Sequence, residues 1–285
     1  MYHGVESALA ESFRRTLKYS AKHFEIVPLE EIVAQALGLR RKRVGLVALT
    51  FDDGLRNNYT VAYPILRELR LPATFFVCPG LIGGTRTIWT YDVQSFMKRV
   101  KPEDRKQFYR MAGVEEGEGI DSIISWMKSL PVVQREEVEG QIRTLTPDFH
   151  FTEEEHEKFD LMNWDELKAL DPSIVSIGSH SLSHADLPHV DAERLEAELA
   201  ISQAELQARL ERPICDFAYP NGSYNDAVVS IVRRFYRSAV TVNHGGIGPG
   251  NDVFTLERIG ADFDLPRFSW WLAIHAGQGH RCQAL

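Results

Sequence analysis

The stretch from Val44 to Thr50 is apolar at almost every position and runs straight into Phe51-Asp52-Asp53-Gly54. A strand wetted on one face alternates apolar and polar residues, so a nearly continuous apolar run marks a strand covered on both faces, the habit of parallel sheets flanked by helices. Around this run the pattern alternates. Residues from about Asn58 to Arg70 read as a helix and Ala73 to Cys78 as the next strand, one β-α-β unit with a right-handed crossover. Further strands are expected near Ile174–Gly178, Ile214–Tyr219, Ser238–Val242 and Phe254–Ile259, with helices between them. Such alternation fits either a closed barrel or an open doubly wound sheet.

Between roughly Thr85 and Asp160 the pattern changes to charged, helix-like segments: Val93–Val100, Pro102–Met111, Ile120–Ser129, Gln134–Leu145 and Glu153–Phe159. This insert follows a strand end, which places it on the face where the Asp pair emerges. A lid or substrate platform and a stabilising or dimerising cap are the two roles it can have.

The Asp pair has a counterpart far along the chain, His180-Ser181-Leu182-Ser183-His184, directly after the apolar segment ending at Gly178-Ser179. On a helical turn, i and i+4 imidazoles project from one face and can grip one ion. Two imidazoles and one carboxylate fill only part of a divalent ion's shell and leave room for water, which loses a proton near neutral pH and becomes a nucleophile. The remaining carboxylate is then free to act as base. Asp-Gly alone is an ordinary turn signal; the weight comes from the buried strand, where charges left unpaired are costly. His3 and His244 sit at other expected strand ends and could line the same pocket. Asp186 and His189 follow the histidine motif and could orient its imidazoles.

At these motifs the chain resembles the polysaccharide deacetylases, the carbohydrate esterases that share the NodB homology domain. The resemblance runs from Tyr2-His3-Gly4-Val5, similar to the family's first strand end, to about Ile259, and is broken by the insert. It implies an α/β fold, an irregular seven-stranded (β/α) barrel with a helical insertion, as a single domain over residues 1–285. It implies that Asp52 is the catalytic base and that Asp53, His180 and His184 ligate one divalent ion. Zinc is the expected ion, with cobalt, nickel or iron as alternatives, since two nitrogens and one oxygen discriminate weakly among them. Phe217-Ala218-Tyr219-Pro220-Asn221-Gly222 stands where the family's third motif helps to hold the oxyanion through its backbone, which points to a backbone N–H near Tyr219 and Asn221.

Two departures from the family pattern matter. Where many members carry an Arg that braces the catalytic Asp, this chain has Ala218. Arg258, in Leu256-Glu257-Arg258-Ile259, resembles the Arg of the branch that lacks the usual one; its competing role is a surface salt bridge. The late His that acts as general acid in the family has His275, in Ala273-Ile274-His275-Ala276, as its one candidate here, with helix packing behind Trp270-Trp271-Leu272 as the competing role. The activity implied is removal of N-acetyl groups from amino sugars in a polysaccharide or oligosaccharide, so the expected partner is an N-acetylated glycan. The alternatives are a metal-dependent amidohydrolase acting on a small cyclic amide or ureide, and a non-catalytic carbohydrate-binding homologue.

Composition narrows the remaining classes. A formal charge of −8 argues against nucleic acid, which needs a basic surface; the single basic run, Arg40-Arg41-Lys42-Arg43, reads as a solvated loop. Three cysteines cannot all pair within the chain, and Cys78 and Cys215 border apolar runs, as small core residues do. No segment is long and apolar enough to span a bilayer, and the first residues lack a signal-peptide pattern. A cytoplasmic location is expected, with export after signal removal as the alternative.

Overall fold

The computed structural model describes residues 1–41, 43–84 and 86–269. Helix α1 (Ala10–His23) leads to strand β1 (Glu25–Ile26), helix α2 (Leu29–Ala36) and strand β2 (Leu46–Val47), which pairs in parallel with β1. There follow β3 (Leu49–Phe51), α3 (Tyr63–Leu69) and β4 (Ala73–Val77). The insert carries α4 (Trp89–Arg99), α5 (Pro102–Ala112), α6 (Ile120–Lys128), α7 (Val132–Thr144) and α8 (Glu153–Phe159). The chain returns through α9 (Trp164–Ala169) to β5 (Val175–Ser179), α10 (Ala192–Leu210), β6 (Asp216–Ala218), α11 (Asp226–Phe235) and β7 (Ser238–Val240). Strands β3 to β7 form one curled parallel sheet in chain order. Every residue of β3, β4, β6 and β7 is buried, and β5 exposes only Ser176. The apolar runs are what a sheet covered on both faces requires. Because all five strands point the same way, their C-terminal ends, and whatever follows them, lie along one rim.

The sheet is not the seven-stranded barrel expected. The run from Val44 to Thr50 divides at Ala48: β2 joins β1, β3 joins β4, and Val44 is 55% exposed. At the edges of the five-stranded sheet, single bridges from Tyr2 to Phe51 and from Leu256 to Val240 take the place of ladders. The expected strand Phe254–Ile259 is reduced to that one residue for a local reason. The Asp252 carboxylate accepts from the Phe254 amide (3.0 Å) and its carbonyl from the Thr255 amide (3.1 Å), which turns the chain just before Leu256. The two edges meet where the Met1 nitrogen donates to the Ile259 carbonyl and the Ala261 amide to the Met1 carbonyl, both at 2.8 Å.

The insert is helical, as its composition predicts, and has its own apolar core. In α4, Trp89, Val93, Phe96 and Met97 recur at helical spacing and bury against Phe108, Ile123, Met127 and Ile142 from α5, α6 and α7. Its exit is tied to the rim: Leu161 bridges Leu55, the Arg56 amide donates to the Asp160 carbonyl (2.6 Å), and the Met162 amide donates to the Gly54 carbonyl (2.9 Å). Because Phe108 is wholly buried in this separate core, Phe108→Ala should cost the insert roughly 3–5 kcal/mol. Hydrogen exchange should then speed up across α4–α7 while β3–β7 keep their protection; equal loss in both regions would show a single cooperative core.

Candidate active site

Asp52 and Asp53 leave the end of β3 in a tight turn with φ of 73° at Asp53 and 69° at Gly54. A side chain at Gly54 would lie 2.9 Å from Val77 Cγ1 on β4, so the turn can approach its neighbour only as glycine. The Asp52 amide donates to the Tyr2 carbonyl at 3.0 Å, and both carboxylates are buried, at 2% and 4% exposure.

Arg258 meets Asp52 in a two-pronged pair. Nη1 donates to Oδ1 at 2.8 Å and Nη2 to Oδ2 at 2.7 Å. The guanidinium is itself fixed, since Nε donates to the Thr241 carbonyl (2.6 Å) and Nη1 also reaches Thr50 Oγ1 (3.2 Å). Burial pushes the Asp52 carboxyl up, but the charge and hydrogen bonds of Arg258 outweigh it and hold the group below the usual carboxylate range. Arg258 is 7% exposed, which excludes a surface salt bridge.

Asp53 faces the histidines. Its Oδ1 lies 3.4 Å from Nε2 of both His180 and His184. The two residues do not sit on a helical turn, as the i, i+4 spacing suggests. They lie in a bend after β5, with left-handed backbone at Ser181 (φ 64°) and His184 (φ 56°), and this folds His184 back so that the ring centroids are 4.9 Å apart. Glu198 of α10 holds the bend, accepting from the Leu182 amide (3.0 Å), the Ser183 amide (2.9 Å) and Ser183 Oγ (2.6 Å). His180 Nδ1 donates to the Ala218 carbonyl at 2.7 Å; a carbonyl can only accept, so in the neutral ring the lone pair is on Nε2, on the side of Asp53. Burial raises the Asp53 carboxyl, but the two imidazoles, when protonated, donate to it and hold it well below the usual range.

The donor set fits a divalent ion. Asp53, His180 and His184 offer one ligand atom each, all within 4.8 Å of one another. Donors arranged tetrahedrally about 2.1 Å from zinc are about 3.4 Å apart, which is the spacing of Asp53 Oδ1 from each imidazole nitrogen. Asp52, paired with Arg258 through one lone pair of each oxygen, lies outside this set.

The other residues singled out in the sequence are placed unevenly. Tyr219 offers no spare donor: its hydroxyl donates to the Phe254 carbonyl (2.9 Å) and its amide to the Val240 carbonyl (3.3 Å). Asn221 stands in a left-handed turn (φ 56°) beyond β6, with Nδ2 buried and without a partner among the described residues. His3 is exposed and close enough for its charge to act on both aspartates; His244 is exposed. Asp186 pairs with His189 at 3.3 Å, while His184 Nδ1 has no hydrogen-bond partner among the described residues, so Asp186 and His189 do not orient the imidazoles there. His275 lies outside the described residues. A cavity of about 350 Å³ opens at the seam between β2, β3 and residues 245–259, with Arg258 in its wall and neither aspartate lining it.

Two residues that no motif announced join the site. Glu198 is one; Tyr91 of α4 is the other, its hydroxyl donating to Asp53 Oδ2 at 2.5 Å. Glu198 interrupts the buried stripe Leu195, Leu199, Ser202 and Leu206 of α10, the one sequence sign of a polar task.

The Arg258 pair sets a pH dependence. A carboxylate that serves as base works ionised, and Arg258 lowers its pKa, so removing the guanidinium raises it. Arg258→Met should therefore lower turnover and move the acidic limb of the rate profile to higher pH at unchanged metal content. It should also cost about 3–5 kcal/mol of stability by stranding a buried carboxylate. An unmoved limb with near-normal turnover would detach Arg258 from the chemistry.

Known proteins give the wider setting. The chain is 20% identical over 214 residues to YxkH of Bacillus subtilis (strain 168), which carries a provisional polysaccharide deacetylase name; the match covers 75% of this chain and 50% of that one. The chain thus spans about half the length of this curated relative. Among solved structures it is similar to IcaB from Ammonifex degensii (TM-score 0.59, 19% identity, 92% of this chain and 88% of that one). It is also similar to the Streptococcus pyogenes deacetylase PplD in complex with acetate (TM-score 0.57, 19% identity, 90% and 82%). At these identities the likeness carries the fold. The sequence profile of the polysaccharide deacetylases matches residues 40–115 and 127–239, a span that holds both aspartates, both histidines and Ala218, and the chain belongs to that family.

Proposed function

We propose that this protein is a metal-dependent hydrolase that removes N-acetyl groups from amino sugars within a polysaccharide or oligosaccharide. The observation that carries the reading is the pairing of an Arg-held Asp52 with the adjacent Asp53, His180 and His184 donor set. A divalent ion held by those three residues, with zinc the best fit, would supply Lewis acidity toward the acetyl oxygen and a water of lowered pKa. Asp52 takes the proton of the attacking water, and Arg258 keeps the carboxylate ionised until it does so. The Ala218 carbonyl holds the His180 ring in one tautomer, so that Nε2 faces the reacting side. A backbone N–H near Tyr219–Asn221 would hold the developing oxyanion together with the ion. Protonated Asp52 can then return its proton to the leaving amine, which gives acetate and a free amino sugar. The family and the acetate-bound neighbour support acetate as the product.

The test is acetate release from N-acetylglucosamine oligomers with and without chelator. Release is expected, is abolished by chelation and returns on adding zinc. Asp52→Asn should keep its metal and lose on the order of 10²-fold or more in turnover. Release that persists in the chelated protein would remove the metal from the reaction. Hydrolysis of a small cyclic ureide without acetate release would reassign the substrate, and binding of oligomers without any turnover would make the site non-catalytic.

A further inference from the structure

Tyr91 belongs to the insert, yet its hydroxyl ends on the carboxylate that the donor set needs. In α4 the residues Trp89, Val93, Phe96 and Met97 face the insert's own core. Tyr91 lies roughly 200° around the helix from Trp89 and so points the other way, toward the rim of the sheet. Its ring is stacked on Phe159 at the end of α8, with centroids 4.7 Å apart and planes 18° apart, which fixes the direction of the hydroxyl. From that support it donates to Asp53 Oδ2 at 2.5 Å, while the other oxygen, Oδ1, lies 3.4 Å from both imidazole nitrogens. The two oxygens of Asp53 are thus divided between two tasks.

We infer that Tyr91 is a positioning residue that restricts Asp53 to one ligating oxygen and makes the helical insert a working part of the metal site. The inference rests on the metal reading proposed above. A carboxylate free at both oxygens can rotate or chelate an ion, and either motion spoils a three-donor arrangement spaced for one ion. A hydroxyl held on Oδ2 suppresses both. Partners of this kind, which orient a ligand without touching the ion, are typically worth 10–100-fold in metal affinity. The insert's exit grips the following residues through Leu161 on Leu55 and the Met162 amide on the Gly54 carbonyl, so the Asp53 side chain and the turn after it are both held from that side.

The test compares zinc dissociation constants of the full chain, measured by competition with a chromophoric chelator, for the native protein and Tyr91→Phe. The Phe ring keeps the stack on Phe159 and removes only the hydroxyl. Affinity is expected to fall about 10-fold or more with the melting temperature of the metal-free protein unchanged. The visible spectrum of the cobalt-loaded variant should weaken, as it does when a carboxylate begins to chelate and the coordination number rises. Equal affinities with equal cobalt spectra would overturn the inference while leaving the metal site in place. So would a loss of affinity that only tracks a loss of metal-free stability. A native protein that binds no zinc would overturn the metal reading and this inference with it. Should Tyr91→Phe fail to fold, Phe159→Leu, which loosens the ring behind Tyr91 and removes no donor, decides on the same readout, with weakened affinity expected and unchanged affinity overturning.

Discussion

Two neighbouring carboxylates are buried at the end of β3, and the rest of the molecule is organised around making that tolerable. Buried side by side, Asp52 and Asp53 repel each other and lose their hydration, so each needs a cationic or donor-rich partner of its own. The chain finds these partners far away in sequence. Asp52 takes its guanidinium from a residue 206 positions on, and this pair needs the Leu256–Arg258 segment to pass beside β3, which draws the last edge of the curled sheet toward the first. Asp53 takes two imidazoles from beyond β5. The strand order is therefore an electrostatic requirement as well as a packing one.

Only β4 separates β3 from β5, so the Asp turn and the histidine bend start two strand spacings apart, about 9–10 Å. A carboxylate from one side and two imidazoles from the other can close that gap only if the strand between them ends in something small. Cys78 fills that place, buried, with its thiol donating to the His180 carbonyl and away from the donor set. The Ala218 carbonyl plays a similar part from β6. At Ala218 the chain offers a backbone oxygen that fixes the tautomer of a candidate ligand, and the Arg that pairs with Asp52 comes from the opposite edge.

Much of this was legible in the sequence, and the reason is local. Asp52, Asp53, His180 and His184 follow apolar strands directly, so strand ends and site positions are read together. Arg258 could be read as well, since a missing brace at Ala218 demands a replacement. The closure of the sheet could not be read, because a single Asp252 turn decides whether Phe254–Ile259 forms a ladder or one bridge. The left-handed bend at Ser181 and His184 was hidden too, since its spacing matches a helical turn. Helix α1 escaped notice because Thr16 and Ser20 on its buried side donate to carbonyls one turn back and blur an otherwise apolar face. Tyr91 had no motif at all; its one sign is an aromatic residue opposite the apolar stripe of α4.

Three residues of the centre, Asp53, Ser181 and His184, have the left-handed backbone that side chains other than glycine's adopt at a cost of about 1–3 kcal/mol each. That cost is met once, when the chain folds, by the packing of β3–β5 and by the hold of Glu198 on the bend. An ion bound by these residues would therefore find its donors already turned toward it and would have little chain to order. The site resembles a cocked mechanism, in which folding stores the work and ligation merely uses it. Affinity in such a centre follows the stiffness of the two bends, so a relaxed backbone at Ser181 or His184 would make a more stable protein and a poorer host for the ion.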